Sequence, residues 1–175
     1  MLIRDYVAIT SAARTGARVA AAAPDAGSCV PNPADETPCP ANGAPNFVQI
    51  AADAIARNGT ALAAESIQYI LVYKANTDGY PGSATSMPSS CAGIPSCVAY
   101  RWNVNAQAFR YSSGAWDSRT VNACFPGNVD AVGVQVVAEH EFLSGLFGTS
   151  FTMSDHAVMN FEPLKAGSCS AGNHV

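Results

Sequence analysis

The chain has 175 residues and a formal net charge of -4, from 9 basic and 13 acidic side chains. Nearly half of the residues are apolar, which excludes disorder throughout, and the length suits a single domain with a real core. Charged residues make up only 13% of the chain and no basic run occurs, so no nucleic acid is expected as a partner.

The chain opens with "MLIRDYVAITSAARTGARVAAAA", in which Leu2, Tyr6, Ile9, Ala13, Gly16, Ala17 and Ala20 recur at three- and four-residue steps. That spacing predicts a helix over 1–23 with these residues as its packing and assembly face. Ser11, Ala12 and the alanines keep the helix narrow, so other backbones can come close. Arg14 and Arg18 lie four apart and are expected to look outward. The pattern runs back to residue 1 with no capping Ser, Thr, Asp or Asn before it, which leads to the expectation that the helix continues upstream. Pro24, Asp25 and Gly27 end it, and the Pro- and Cys-rich stretch over 24–45 reads as a loop.

A second helix is expected from Asn46, with Asn46 and Gln49 as a capping box and Asn58-Gly59 as its stop. Phe47, Ile50, Ala51, Ala54 and Ile55 would form its apolar face, with Asp53 and Arg57 outside. From residue 65 the period becomes two. "SIQYILVYKA" predicts a strand at 66–75, and a long loop follows over 76–97. A strand near 97–104, a turn at Asn105-Ala106 and a return near 107–112 come next. Val132, Val134 and Val136 alternate with Gly133 and Gln135, predicting a strand over 130–140. "FLSGLFGTS" reads as a short helical turn or wide bend, and a last strand is expected over 151–161 before Pro163. The tail over 166–175 is small and polar. Helices followed by consecutive strands predict an α+β domain: a long N-terminal helix plus a second helix packed on an antiparallel sheet of about four strands, with 46–165 as its body.

Six cysteines, Cys29, Cys39, Cys91, Cys97, Cys124 and Cys169, all lie in turn-like stretches. An even number in such places reads as a disulfide set in an oxidising compartment. Proximity favours Cys29–Cys39 and Cys91–Cys97, leaving Cys124–Cys169, among many possible pairings. The cysteines ask for export, yet this sequence carries no signal peptide and no apolar run near the roughly 20 residues of a membrane span. The two agree if an N-terminal segment was removed. The competing reading is a complete cytosolic protein with reduced thiols.

Candidate chemistry is sparse. Glu139, His140 and Glu141, with Asp155 and His156, are the residue types of a metal or acid–base site, but the helical H-E-x-x-H spacing is missing. On a strand, Glu139 and Glu141 share one face and His140 takes the other, so one ion could not hold all three. No Ser sits in G-x-S-x-G, and "GYPGS" precedes no helix and no Lys, so it is not a P-loop. Tyr69, Tyr73, Tyr100, Trp102, Phe109, Tyr111 and Trp116 gather on predicted strands, as core or as an exposed ligand surface. No catalytic residue, metal or cofactor is expected.

Three stretches together resemble the TadE-like family of tight-adherence (Tad/Flp) pilus systems. "RDYVAITSAARTGAR" is similar to the segment that follows the family's N-terminal membrane helix. "CVAYRWN" resembles its mid-domain strand, and "VGVQVVAEHEFLSGLFGTSFTMSDHAVMNFEP" its C-terminal block. The resemblance implies a single extracytoplasmic pilin-like domain over 1–175, with 1–23 the outer half of a helix whose membrane-anchoring part is missing here. It implies a non-enzymatic minor pilin-like or pilus assembly protein, active in adhesion or surface filament biogenesis, whose partners are other pilin-like subunits, the assembly machinery and the membrane. The alternative reading is an exported, disulfide-stabilised module that binds a carbohydrate or cell-surface partner through Trp102, Trp116 and the tyrosines. A third, a metal hydrolase around His140 and His156, would require bound metal.

Overall fold

In a computed structural model, residues 2–29, 44–57, 62–124, 129–141 and 150–164 are described. They form helices α1 (Leu2–Ala21) and α2 (Asn46–Arg57) and strands β1 (Ile67–Ala75), β2 (Cys97–Asn103), β3 (Ala108–Ala115), β4 (Ala131–Glu141) and β5 (Ser150–Asn160). The strands make one sheet in the order β3-β2-β1-β4-β5, every neighbouring pair antiparallel. The fold is therefore α+β, and the sheet has five strands rather than about four. The return expected near 107–112 is a full strand of this sheet and runs on through Ala115, where Gly114 adopts φ 92° and lets β3 press against the Cys97 carbonyl of β2. A side chain at position 114 would strike that carbonyl.

Both helices lie on one face of the sheet. Ile70, Val72, Val98, Tyr100, Phe109, Val132, Val134 and Val136 point toward Ile9, Ala13, Ala17, Phe47, Val48 and Ile55. Alternation along each strand puts these residues on a single side, which is why the period-two pattern of β4 fixes its orientation. Gly16 is the closest approach: a Cβ there would meet Ile55 Cδ1 at 2.8 Å and Val134 Cγ1 at 3.1 Å, so α1 sits against α2 and β4 at once. Aromatic edges complete the layer, with Phe47 against Trp116 and Phe161 at centroid distances of 5.2 and 5.1 Å.

Helix ends are satisfied in ways the sequence did not announce. α1 stops at Ala21, two residues before the expected end, and the Glu162 N–H donates to the Ala21 carbonyl. The Asn46 N–H donates to Gly27 O, and Gln49 Nε2 donates to Asp53 Oδ1 and the Phe109 carbonyl. The expected capping box is therefore replaced: Gln49 ties α2 to β3, and the chain entering α2 is held by the segment leaving α1. Phe47, Ala51, Ala54 and Ile55 of the expected apolar face of α2 are buried, joined by Val48 and Ala52, while Ile50 is half-buried. The bend expected over 142–149 and the tail after 164 lie outside the described residues.

On the opposite face of the sheet, the long loop over 76–96 covers β1 and the start of β2. Met87, Ile94 and Cys91 cover Leu71, Tyr73, Cys97 and Ala99 there. Asn76 organises the loop: its side-chain amide donates to Gly82 O and Ala84 O, and its oxygen accepts from the N–H groups of Asp78 and Tyr80.

Candidate functional site

The residues singled out by the sequence separate into three groups. Of the helix face, Ile9, Ala13, Gly16, Ala17 and Ala20 are buried inside the domain, with Ala8, Ala12 and Ala21 beside them. Tyr6 lies on the same stripe by spacing but is 52% exposed. The side chain of Leu2 lies outside the described residues. Arg14 and Arg18 are exposed on the outer side.

Cys91 and Cys97 form a disulfide with Cα atoms 5.3 Å apart, pinning the 76–96 loop to the start of β2. Cys29 and Cys124 are disulfide-bonded as well, and Cys39 and Cys169 lie outside the described residues. No described cysteine is free.

The acid and imidazole residues near 140 and 155 do not converge. His140 pairs with Phe151 across the sheet, whereas His156 pairs with Gln135, so the two imidazoles stand five positions apart along β4 and on opposite faces. His140 Nδ1 lies 2.6 Å from Asp5 Oδ2 of α1, and Thr10 Oγ1 donates to Asp155 Oδ2 at 2.5 Å. Both contacts fasten α1 to the sheet. Glu139 points the other way, where hydrogen bonds from Ser150 and then Gln68 hold its carboxyl below the usual carboxylate range. The ring of His156 lies against that of Tyr80. Among the described residues no group of three or more His, Cys, Asp or Glu could hold a metal ion.

The aromatic residues are mostly structural. Tyr73, Tyr100, Phe109 and Trp116 are buried, while Tyr69, Trp102 and Tyr111 are half-buried. Burial pushes the Tyr100 phenol above its ordinary value, and the nearby Asp53 and Tyr111 add to this. Trp116, only 1% exposed, offers no face to a ligand.

What the structure adds is an apolar pole. Asp5 meets His140, the penultimate residue of β4, so the first turn of α1 stands where the sheet ends. The antiparallel registers bring the start of β1, the end of β4, the start of β5 and the β2–β3 turn to that same pole. Ile3 (81% exposed), Tyr6, Val7 (60%), Val104 (68%) and Phe151 (51%) all stand there. Among the described residues, the other exposed large hydrophobic side chain, Val158, is 37% exposed and lies toward the opposite end. A cleft of about 430 Å³ opens beside them, lined by Asp5, Leu62, Glu65, Gln68, Glu139 and His140 among others. Ile3 and Val7 lie off the expected stripe. Their signal was in the sequence all the same, since Leu2, Ile3, Tyr6 and Val7 make the first turns of α1 apolar on more than one side.

No family model, curated protein or solved structure matches this chain. Among the described residues, no helix is long and apolar enough to cross a membrane.

Proposed function

We propose that this chain is a non-enzymatic, extracytoplasmic pilin-like domain, a minor subunit or assembly protein of a Tad-type pilus or secretion system that serves adhesion or surface filament biogenesis. In the full-length protein it is anchored in the membrane through a hydrophobic N-terminal helix, and its partners are other pilin-like subunits and the assembly machinery. The observation that carries this reading is α1 itself: a small-residue stripe laid along one face of an antiparallel sheet, leading to first turns whose apolar residues this domain leaves uncovered. The disulfides support an oxidising compartment. The polar pairs near His140 are used to fasten α1, which favours a structural role over an acid–base one. Burial of Trp116 counts against the carbohydrate-binding alternative, which relied on it.

Fractionation of the native protein tests this. The expected outcome is recovery with membranes or sheared surface material, with its cysteines oxidised. Recovery in the cytosol with six reactive thiols would overturn the reading.

A further inference from the structure

Among the described residues, β3 and β5 are the two edges of the sheet, and they are built differently. β3 has eight residues, a bulge where it meets Ala99 and Tyr100, Gly114 at positive φ, and Arg110. Short length, bulges and charge are the devices that keep a sheet edge from taking up another strand. β5 has eleven residues in unbroken register with β4 and contains no Pro, Gly, Lys or Arg. Apart from Met153, all of its residues are exposed or half-buried.

Two bonds fix which backbone groups of β5 face outward. The Phe161 N–H donates to Asp130 O at the end of the β4 pairing, so the odd-numbered positions face β4. The His156 N–H donates instead to Asp155 Oδ1, on the outer side. Such groups alternate along an antiparallel ladder, so Thr152, Ser154, His156 and Val158 turn N–H and C=O away from the sheet. Among the described residues, no backbone bond outside the β4 ladder involves 150–160. An open row of this kind is a template for one further strand.

We propose that β5 pairs antiparallel with β5 of a second copy, joining two five-stranded sheets across a two-fold axis at Ser154. A second copy fits because it brings the same open row at the same length, so one contact completes both, while the blunted β3 edges stay outside and the assembly closes as a dimer. Charge sets the axis. Centred on Asp155, the pairing would put two carboxylates opposite each other. Centred on Ser154, Asp155 faces Met153 and Thr152 faces His156, whose N–H passes from Asp155 to the Thr152 carbonyl. The helices agree with this arrangement. α1 spans β4 and β5, with Gly16 against Val134 and Thr10 donating to Asp155. With strands about 4.8 Å apart, the two α1 helices would run antiparallel roughly 10 Å apart, an ordinary helix-packing distance, and meet near Thr10. Ile3, Tyr6 and Val7 share the side of α1 that carries Thr10, so exposed Tyr6 and Val7 would lie against the Arg14 stem of the other copy.

Sedimentation velocity of the purified 175-residue chain tests it. The expected result is a reversible monomer–dimer equilibrium, weak for so small a contact, with a dissociation constant on the order of 100 µM. Amide exchange at Ser154 should slow as the chain is concentrated. Ser154→Lys, at an exposed position, sets like charges across the axis and should weaken the dimer about tenfold or more. Ser154→Pro spares the β4 ladder, since that N–H points outward, and should abolish pairing. Both variants should keep the circular dichroism of the parent, and Ser112→Lys in the β3 bulge should dimerise like the parent. A chain that stays monomeric to about millimolar concentration overturns the proposal. So does a dimer that Ser154→Lys leaves intact, one that Ser112→Lys disperses, or one that leaves exchange at Ser154 unchanged. None of these results bears on cell fractionation, so this proposal and the anchored reading can fail separately.

Discussion

The two faces of the sheet are covered by different means. Ile70, Val72, Val134 and Val136 are roofed by two helices whose apolar periodicity is plain in the sequence. Leu71 and Tyr73, the alternate residues of the same β1, lie under a loop held by Asn76 and by Cys91–Cys97. The helix side draws its stability from close packing over many residues. The loop side concentrates it in a few fixed points, so the two sides should respond differently to the same kind of change.

The largest effect is expected on the helix side. Phe47→Ala removes a fully buried ring that contacts Trp116 and Phe161, and should cost about 3–5 kcal/mol in denaturant unfolding. Glycine substitutions sharpen the contrast. Gly133 lies directly beneath the Tyr73 ring, which cannot retreat because its hydroxyl donates to Gly79 O at 3.0 Å. Gly133→Ala should therefore cost about 3 kcal/mol, at the upper end of overpacking. Gly16→Ala meets the Cδ1 end of the Ile55 side chain and Val134 Cγ1, which offsets a gain of about 1 kcal/mol of helix propensity, so its net effect should be near zero. A large loss from Gly16→Ala would mean that the α1–α2 contact is as rigid as the loop side.

Smaller effects follow. Cys91→Ser/Cys97→Ser should cost about 2 kcal/mol, the scale for so short a closed loop. Hydrogen exchange should then rise over 76–96 and leave α1 and α2 protected. An equal rise in both regions would erase the distinction between the faces. The smallest effect expected is an alkaline one. The buried Tyr73 and Tyr100 phenols titrate above their ordinary 10.0, so the folded state holds their protons more tightly than the unfolded chain does. Their contribution is complete below pH 10 and declines as pH rises above it. Chemical unfolding across that range should show the decline, and Tyr100→Phe should flatten its slope.

Much of this fold was legible. Alternating valines set β4, and small residues at helical spacing set the buried side of α1 from Ile9 onward. The far end of β3 was missed because its continuation past residue 112 depends on Gly114 at positive φ, which no alternation records. The cover on the loop side was unreadable for a different reason. It depends on hydrogen bonds of one asparagine to backbone groups up to eight residues away, which have no period. The pole was hidden because exposure of Val7 or Phe151 depends on where the sheet ends, a property of registers between distant strands.

The central claim is that the first turns of α1 face the cell envelope. A photo-crosslinking residue at Val7 of the protein in its native cells addresses it most directly, with Val158 as the control position. The account predicts products with lipid or with pilin-like subunits from Val7 and few or none from Val158. Products with cytosolic proteins, or equal labelling from both positions, would contradict it.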